Sequence, residues 1–139
     1  MDDRFWIWLA AGLVLGAAFI ALARRLDERR VFAIGLVVAA AIYVGFALAG
    51  GAPWRWIGVE AIGVAVYGLL AWLGLRRARG WLALGWAAHV VWDVALHLTG
   101  AGRHFAPPWY ATVCIGFDLL VAAWIAAGCW RRGLPGSPG

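Results

Sequence analysis

Charged residues are scarce in this sequence, making up only 14% of its 139 positions. Hydrophobic residues make up 65%, well above the about 45–50% that is typical of soluble domains. Eleven tryptophans and nineteen glycines fit the same class, because tryptophan marks membrane interfaces and glycine lets membrane helices approach closely. The composition excludes an ordinary soluble domain and predicts an integral membrane protein whose main partner is the lipid bilayer.

Cysteine is also scarce, and the only two cysteines are Cys114 and Cys129. They lie in one apolar run, about 22 Å apart along a helix, which is far beyond the reach of a disulfide. We expect two free thiols. They carry no information about the redox compartment.

Several functional signatures are missing. The sequence has no Walker, GxGxxG or HExxH motif, no internal repeat, and no period-2 alternation typical of membrane β-strands. The net charge of +5 does not indicate nucleic-acid binding, because the basic residues lie in short connections between apolar runs. We therefore expect no nucleic-acid partner.

Five apolar runs are present, each close to the roughly 20 residues that a helix needs to cross a bilayer. The predicted helices cover residues 5–23, 31–50, 56–75, 81–99 and 109–130. The sequence thus predicts an all-α fold, an integral membrane bundle of five transmembrane helices in a single domain over residues 1–132. Residues 133–139 are rich in glycine and proline with nothing to bury, so we expect a disordered tail there.

Arginine is distributed unevenly over the connections between the runs. Nine arginines fall on one side of the predicted bundle and three on the other. Because positively charged loops stay in the cytoplasm, we expect the N-terminus outside and the C-terminus in the cytoplasm. The expected location is the cell membrane, as a multi-pass protein of a bacterial inner membrane.

Gly12 and Gly16 form a GxxxG motif in the first predicted helix. Small residues at this spacing let two membrane helices pack closely. The motif is therefore a candidate contact for a homo-oligomer.

Ionisable side chains occur deep inside the apolar runs. His89, Asp93 and His97 follow one another at four-residue spacing, so at about 100° per residue they fall within an arc of roughly 80° on one helix face. A charged group inside the bilayer costs roughly 3 kcal/mol or more. A functional site is therefore the first hypothesis for this polar stripe.

The last apolar run repeats the four-residue spacing with Tyr110, Cys114 and Asp118. Short loops make consecutive helices antiparallel neighbours, so residues at equal depth should face each other. When depth is counted from the outer membrane boundary, His97 pairs with Tyr110, Asp93 with Cys114, and His89 with Asp118. The last pair predicts a buried carboxylate next to an imidazole.

Other polar side chains reach similar depths. Glu60 lies about 6 Å below the outer boundary and Tyr43 about 9 Å, the same depth as Asp93. The polar residues thus gather in the outer half of the bilayer. We expect a pocket that opens outward, with the loop at 100–108 as its lid and His104 on that lid.

Imidazole and carboxylate are the usual ligands of zinc and iron, so a metal site is one interpretation. His89 and His97 start about 12 Å apart along the helix axis, too far for both to bind one ion. One ion could be held by Asp93 and His97 with Glu60 or His104, or by His89 and Asp93 with Asp118. If both positions are filled, Asp93 bridges two ions.

The candidate metal ligands are therefore His89, Asp93, His97, Asp118, Glu60 and His104. The candidate catalytic residues are Asp93, His89 and Asp118. Such a site would activate water or support redox chemistry, which predicts a metal-dependent enzyme acting on a lipid or another apolar substrate.

Two other functions are consistent with the same residues. The polar groups could belong to a small-molecule or ion-binding transport component or an accessory membrane subunit, although nothing titratable continues from Asp118 towards the cytoplasmic side. They could also form a purely structural network that pairs helices. Haem would need a second chain or another subunit, because His89 and His97 share one helix face.

The segment GWAAHVVWD at 85–93, the histidine that follows it, and the proline loop before Cys114 and Asp118 resemble a known family. It is a family of small bacterial multi-pass membrane proteins described only as a domain of unknown function, with GWxxHxxWD and CxxxD segments. The chain departs from the family pattern at Leu96 and Phe117, where the family has a second histidine and a cysteine. The resemblance implies a multi-pass membrane protein and no known activity.

Carried over residue by residue, the resemblance selects His89, Trp92, Asp93, His97, Cys114 and Asp118. More loosely, the histidines and aspartates on helices are similar to the zinc-dependent lipid hydrolases of the ceramidase type. Those proteins have more helices and a serine, which Ser137 in the tail cannot supply.

Overall fold

The computed structural model describes residues 3–133, and within this range every regular element is a helix. Five helices are each long and apolar enough to cross a membrane. The α-helices are α1 (Asp3–Ala23), α2 (Glu28–Ala49), α3 (Trp54–Arg76), α4 (Gly80–Trp92) and α5 (Pro108–Gly133), and α4 reaches this length only together with the helical segment that continues it to Leu98. The predicted all-α fold with five helices of membrane-spanning length is confirmed for these residues.

The fourth apolar run is not a single α-helix. Residues after Trp92 continue α4 as a π-helical segment, Asp93–Leu98, so that α4 and this segment form one apolar rod from Gly80 to Leu98. A short 3-10 helix, Ala101–His104, then leads to α5. Single π-helical turns occur often at functional sites.

The helix ends follow from local residues. Asp27 caps α2, because its side chain accepts a hydrogen bond from the backbone N–H of Arg30 at 3.2 Å. Gly51, in the turn before α3, has a φ of 62°, a conformation that glycine adopts without strain. Pro108 starts α5, where its missing N–H removes no helical hydrogen bond. The resulting turns are short, so consecutive helices run antiparallel.

The helices pack in the order α1, α5, α4, α3 and α2, with α2 also touching α4 and α1. Trp86 of α4 lies in the middle of the apolar core, fully buried, and its indole N–H donates to the carbonyl oxygen of Phe32 at 3.2 Å. Leu82 and Leu36 are also completely buried there. This packing holds α4 between α5 and the α2–α3 pair.

Gly12 and Gly16 face α5 within the same chain. A Cβ atom at Gly12 would overlap the backbone carbonyl of Val113, and one at Gly16 would lie 3.2 Å from the backbone oxygen of Phe117. The GxxxG surface is therefore occupied inside the bundle. Association of two chains through it stays a prediction.

The predicted tail at 133–139 lies outside the described residues except for Gly133, the last residue of α5. Ser137 lies outside them as well.

Candidate functional site

Three of the predicted site residues meet in the interior of the bundle. His89 Nδ1 lies 2.7 Å from Asp118 Oδ2 and 3.4 Å from Asp93 Oδ2. Ligand atoms of all three residues lie within 4.8 Å of one another, and none of the side chains is more than 1% exposed. We call His89, Asp93 and Asp118 the carboxylate–histidine cluster. The predicted buried pair of His89 and Asp118 is confirmed.

The cluster is assembled from two neighbouring helices. His89 and Asp93 are one turn apart, so their side chains leave α4 on the same face, and Asp93 is the first residue of the π-helical segment. Asp118 comes from α5, which packs along α4. The four-residue spacing in the sequence therefore predicts the first contact, and equal depth on neighbouring helices predicts the contact with Asp118.

Tyr43 of α2 holds the second carboxylate in place. Its hydroxyl donates a hydrogen bond of 2.7 Å to Asp93 Oδ1, on the side of the carboxylate away from His89. The phenol ring stacks on His97 with a centroid distance of 3.7 Å and an interplanar angle of 3°. The sequence predicts the depth of Tyr43 but not this role. Its predicted depth, equal to that of Asp93, was the signal that pointed to it.

Glu60 and His97 form a separate pair beside the cluster. His97 Nε2 lies 3.4 Å from Glu60 Oε1, and the indole N–H of Trp92 donates to Glu60 Oε2 at 3.2 Å. Both Glu60 and His97 are buried. Between residues 3 and 133, the carboxylate–histidine cluster is the only set of three or more ligand residues close enough for one ion. The sequence predicted two alternative sets of ligands for a single ion. The structure brings together the set of His89, Asp93 and Asp118.

The spacing along the helix accounts for the separation, since His89 and His97 are eight residues apart, about 12 Å of helix. His97 lies in the π-helical segment, and its ring stacks on Tyr43. Tyr110, the predicted neighbour of His97, packs edge-on against Tyr43 at 5.7 Å. The aromatic ring of Tyr43 thus packs against both His97 and Tyr110, which the sequence predicted to face each other at equal depth.

The loop after the π-helical segment covers the Glu60–His97 pair. A Cβ atom at Gly102 would lie only 2.6 Å from His97 Nδ1, so glycine lets the backbone approach the imidazole. Phe105 packs edge-on against the same imidazole at 5.8 Å. His104 is exposed and, among the described residues, takes part in no ion pair or side-chain hydrogen bond. The structure does not bring His104 together with the other candidate ligands.

Several buried polar atoms of these residues have no hydrogen-bond partner in the described part of the chain. They are Glu60 Oε1, His89 Nε2, Asp93 Oδ2 and both ring nitrogens of His97. Buried polar atoms are nearly always paired in folded proteins, so a concentration of exceptions at one place needs an explanation. A bound ligand that uses some of these atoms is one such explanation.

The dimensions of the cluster suit a small metal ion. Tetrahedral coordination with bonds of about 2.1 Å places ligand atoms about 3.4 Å apart. The separation of 3.4 Å between His89 Nδ1 and Asp93 Oδ2 already matches this geometry. The 2.7 Å contact to Asp118 Oδ2 is a hydrogen bond and would have to widen by less than about 1 Å.

Comparison with known proteins identifies one family. A family model described as "Family of unknown function (DUF6010)" matches residues 7–131, nearly the whole chain. No curated protein and no solved structure matches the chain.

Proposed function

The chain belongs to this family of unknown function, and we propose that it is a multi-pass membrane protein that binds zinc or iron through His89, Asp93 and Asp118. In this proposal the metal supports an enzymatic reaction on a lipid or another apolar substrate.

One observation carries the proposal: two buried carboxylates share a single imidazole nitrogen. Even a protonated His89 could balance only one of the negative charges of Asp93 and Asp118, which are at most 1% exposed. An uncompensated charge in such a place is strongly destabilising. A divalent cation bound between the three side chains balances both carboxylates. The adjacent Glu60–His97 pair has one carboxylate per imidazole.

Three protein ligands leave a coordination position for water or substrate, as in catalytic zinc sites. A metal there can activate water or polarise a carbonyl or phosphoryl oxygen. Asp93 gains its orientation from the Tyr43 hydroxyl, an arrangement typical of the residues that support metal ligands. His89, Asp93 and Asp118 are therefore the proposed catalytic residues.

An apolar cavity supports an apolar substrate. It measures about 280 Å³ and lies between α1, α2, α4 and α5. Asp118 and Cys114 are part of its wall, together with apolar side chains that include Phe19, Ile42 and Phe117. A hydrocarbon chain in this cavity would place an attached polar group next to the carboxylate–histidine cluster.

We further propose that the five helices cross a cell membrane with the N-terminus outside and the C-terminus in the cytoplasm. Exposed tryptophans support two interfaces, with Trp6, Trp54 and Trp109 at one end of the bundle and Trp81 and Trp130 at the other. Reporter fusions should place 51–54 and 102–105 outside and residue 27 inside. A C-terminus found outside would invert the proposed orientation and put the cluster nearer the cytoplasm.

Metal analysis of the detergent-purified protein tests the proposed site. We expect about one equivalent of zinc or iron in the wild type and a loss of this metal in His89→Ala. His104→Ala is the matched control, because it removes an exposed imidazole outside the cluster. A folded wild type that stays free of metal after incubation with zinc or iron would contradict the proposal.

That negative result would favour a structural network. Each hydrogen bond of the site joins two helices: His89 to Asp118 connects α4 and α5, and Trp92 to Glu60 connects α4 and α3. It would also be compatible with a transport component in which the two aspartates share a proton. Proton binding by the wild type and by Asp118→Asn would separate these two alternatives, because a shared proton means that the variant binds one proton fewer per chain.

A further inference from the structure

A second polar site lies at the opposite end of the bundle, where the arginine-rich connections meet. Four arginines and Glu28 line a cavity of about 100 Å³ beside the indole of Trp124. The arginines are Arg24, Arg79, Arg131 and Arg132. We call this cavity the arginine pocket. Arg79 is ten residues from His89, about 15 Å of helix, so the arginine pocket is separate from the carboxylate–histidine cluster.

The single carboxylate in the arginine pocket is already engaged. Glu28 Oε2 accepts a hydrogen bond from Arg79 Nη2 at 2.7 Å, and Glu28 Oε1 accepts one from the indole N–H of Trp124 at 2.8 Å. Both carboxylate oxygens therefore point to protein donors. Four guanidinium groups against one carboxylate leave three positive charges without a partner in the pocket.

Two of the remaining three arginines lie over the indole ring of Trp124. The guanidinium carbons of Arg24 and Arg131 lie 5.5 Å and 5.9 Å from the ring centre of Trp124. Such cation–π contacts fix the charged groups without using their N–H donors. Arg132 folds back along α5, since a Cβ atom at Gly128 would lie 3.3 Å from its guanidinium nitrogen. The absence of a side chain at Gly128 leaves room for this arrangement.

The other arginines at this end have different surroundings. Arg29 donates to the carbonyl oxygen of Gly74 at 2.6 Å, and Arg30 pairs with Asp27 at 3.1 Å. In the described residues, no ion pair involves Arg24, Arg131 or Arg132. The arginines of the pocket come from three separate parts of the chain. A simple excess of arginine in the loops does not explain why they meet at one place.

We propose that the arginine pocket binds a phosphate group, either as the headgroup of an anionic phospholipid or as free phosphate. Guanidinium groups bind phosphate with paired, charge-assisted hydrogen bonds. The volume of about 100 Å³ exceeds the share of about 30 Å³ that one water molecule has in the liquid, so the cavity admits a group of several heavy atoms. Basic pockets between helices on the cytoplasmic side of membrane proteins are suited to anionic headgroups.

The test uses the purified full chain in two separate arms. In the first, inorganic phosphate is titrated against the protein in nanodiscs of phosphatidylcholine. In the second, nanodiscs contain an increasing fraction of phosphatidylglycerol, and lipid retained by the protein is measured by native mass spectrometry. Binding in the first arm identifies free phosphate as a ligand, and retention only in the second identifies the lipid headgroup.

Arg132→Gln should weaken binding about tenfold, the size of one charge-assisted hydrogen bond. Arg25→Gln is the matched control, because it removes the same charge at the same end from an exposed residue that does not line the pocket. We expect less than about a twofold change for the control. Arg132→Lys keeps the charge and the fold but loses the planar guanidinium, so an intermediate affinity is expected.

No binding by the wild type in either arm would overturn the proposal. Equal weakening by Arg25→Gln and Arg132→Gln would overturn it as well, because it would indicate a diffuse surface charge. Metal content is measured on the same samples. The arginine pocket is separate from the proposed metal site. A loss of phosphate or lipid binding can therefore be distinguished from a loss of metal.

Discussion

The carboxylate–histidine cluster has an excess of negative charge in the buried interior, whereas the arginine pocket has an excess of positive charge that is partly exposed to solvent. His89, Asp93 and Asp118 are at most 1% exposed, whereas the side chains of Arg79 and Glu28 are 24% and 26% exposed. Water and salt can screen the excess positive charge of the arginine pocket. They cannot screen the excess negative charge of the cluster. An excess of charge is therefore tolerated at the exposed end of the bundle, whereas the buried cluster needs a specific partner of opposite charge.

The largest effect is expected from Asp93→Asn. This substitution keeps the shape of the side chain but removes one of the two carboxylates next to His89. We expect metal content to fall to background, while thermal stability without metal stays similar or rises, because a buried amide costs less than a buried unpaired carboxylate. Metal analysis and thermal unfolding of the metal-free protein measure the two effects.

His104→Ala is the control for this substitution and should retain the metal. Equal metal content in the wild type and Asp93→Asn would remove Asp93 from the site. The cluster would then be better explained as a helix-pairing network.

A smaller effect is expected from Tyr43→Phe. The variant loses the hydroxyl that donates to Asp93 but keeps the ring that stacks on His97. Residues that orient metal ligands typically contribute about 10–100-fold to metal affinity, so we expect a loss of that size. Competition with a metal-sensitive chelator dye gives the affinity. An unchanged affinity would mean that Asp93 needs no support from Tyr43.

Gly12→Ala tests the packing between α1 and α5, which contains neither polar site. The new Cβ atom would overlap the carbonyl of Val113, and overpacking of this kind costs about 1–3 kcal/mol. We expect the free energy of unfolding to fall by that amount with metal affinity per folded molecule unchanged. Denaturant unfolding in detergent measures it.

Gly58→Ala is the matched control, since nothing lies within 4 Å of a Cβ atom at Gly58. Its stability should stay the same or rise by up to about 1 kcal/mol, because alanine favours helices over glycine. If Gly12→Ala changes dimerisation and leaves the stability of the monomer intact, the GxxxG motif acts between chains.

The smallest effect is expected from Arg79→Gln at the exposed end. Its ion pair with Glu28 is partly screened by solvent, and Glu28 keeps the hydrogen bond from Trp124. We expect the free energy of unfolding to fall by less than about 1 kcal/mol, and the difference to shrink at high salt. Unfolding at two salt concentrations checks both statements. A loss as large as that of Gly12→Ala would show that the two polar sites are not as different as their exposure suggests.

Much of the candidate site was predictable from residue spacing. The four-residue step between His89 and Asp93 determines their common face, and equal depth on antiparallel neighbours predicted the contact with Asp118. The stacking of His97 on Tyr43 was not predictable, because it depends on how residues of two different helices pack against each other. No pattern in the sequence marks that packing.

Length and hydrophobicity alone determined that the chain forms five apolar helices, since each run is long enough and apolar enough to span a bilayer. Beyond the contacts of His89 with Asp93 and Asp118, the tertiary structure alone decided which polar groups meet. Contacts such as Tyr43 with Asp93, or Arg24 with Trp124, join residues far apart in the chain. Their distances depend on how the helices pack and rotate against one another, and the period of a single helix contains no information about that rotation.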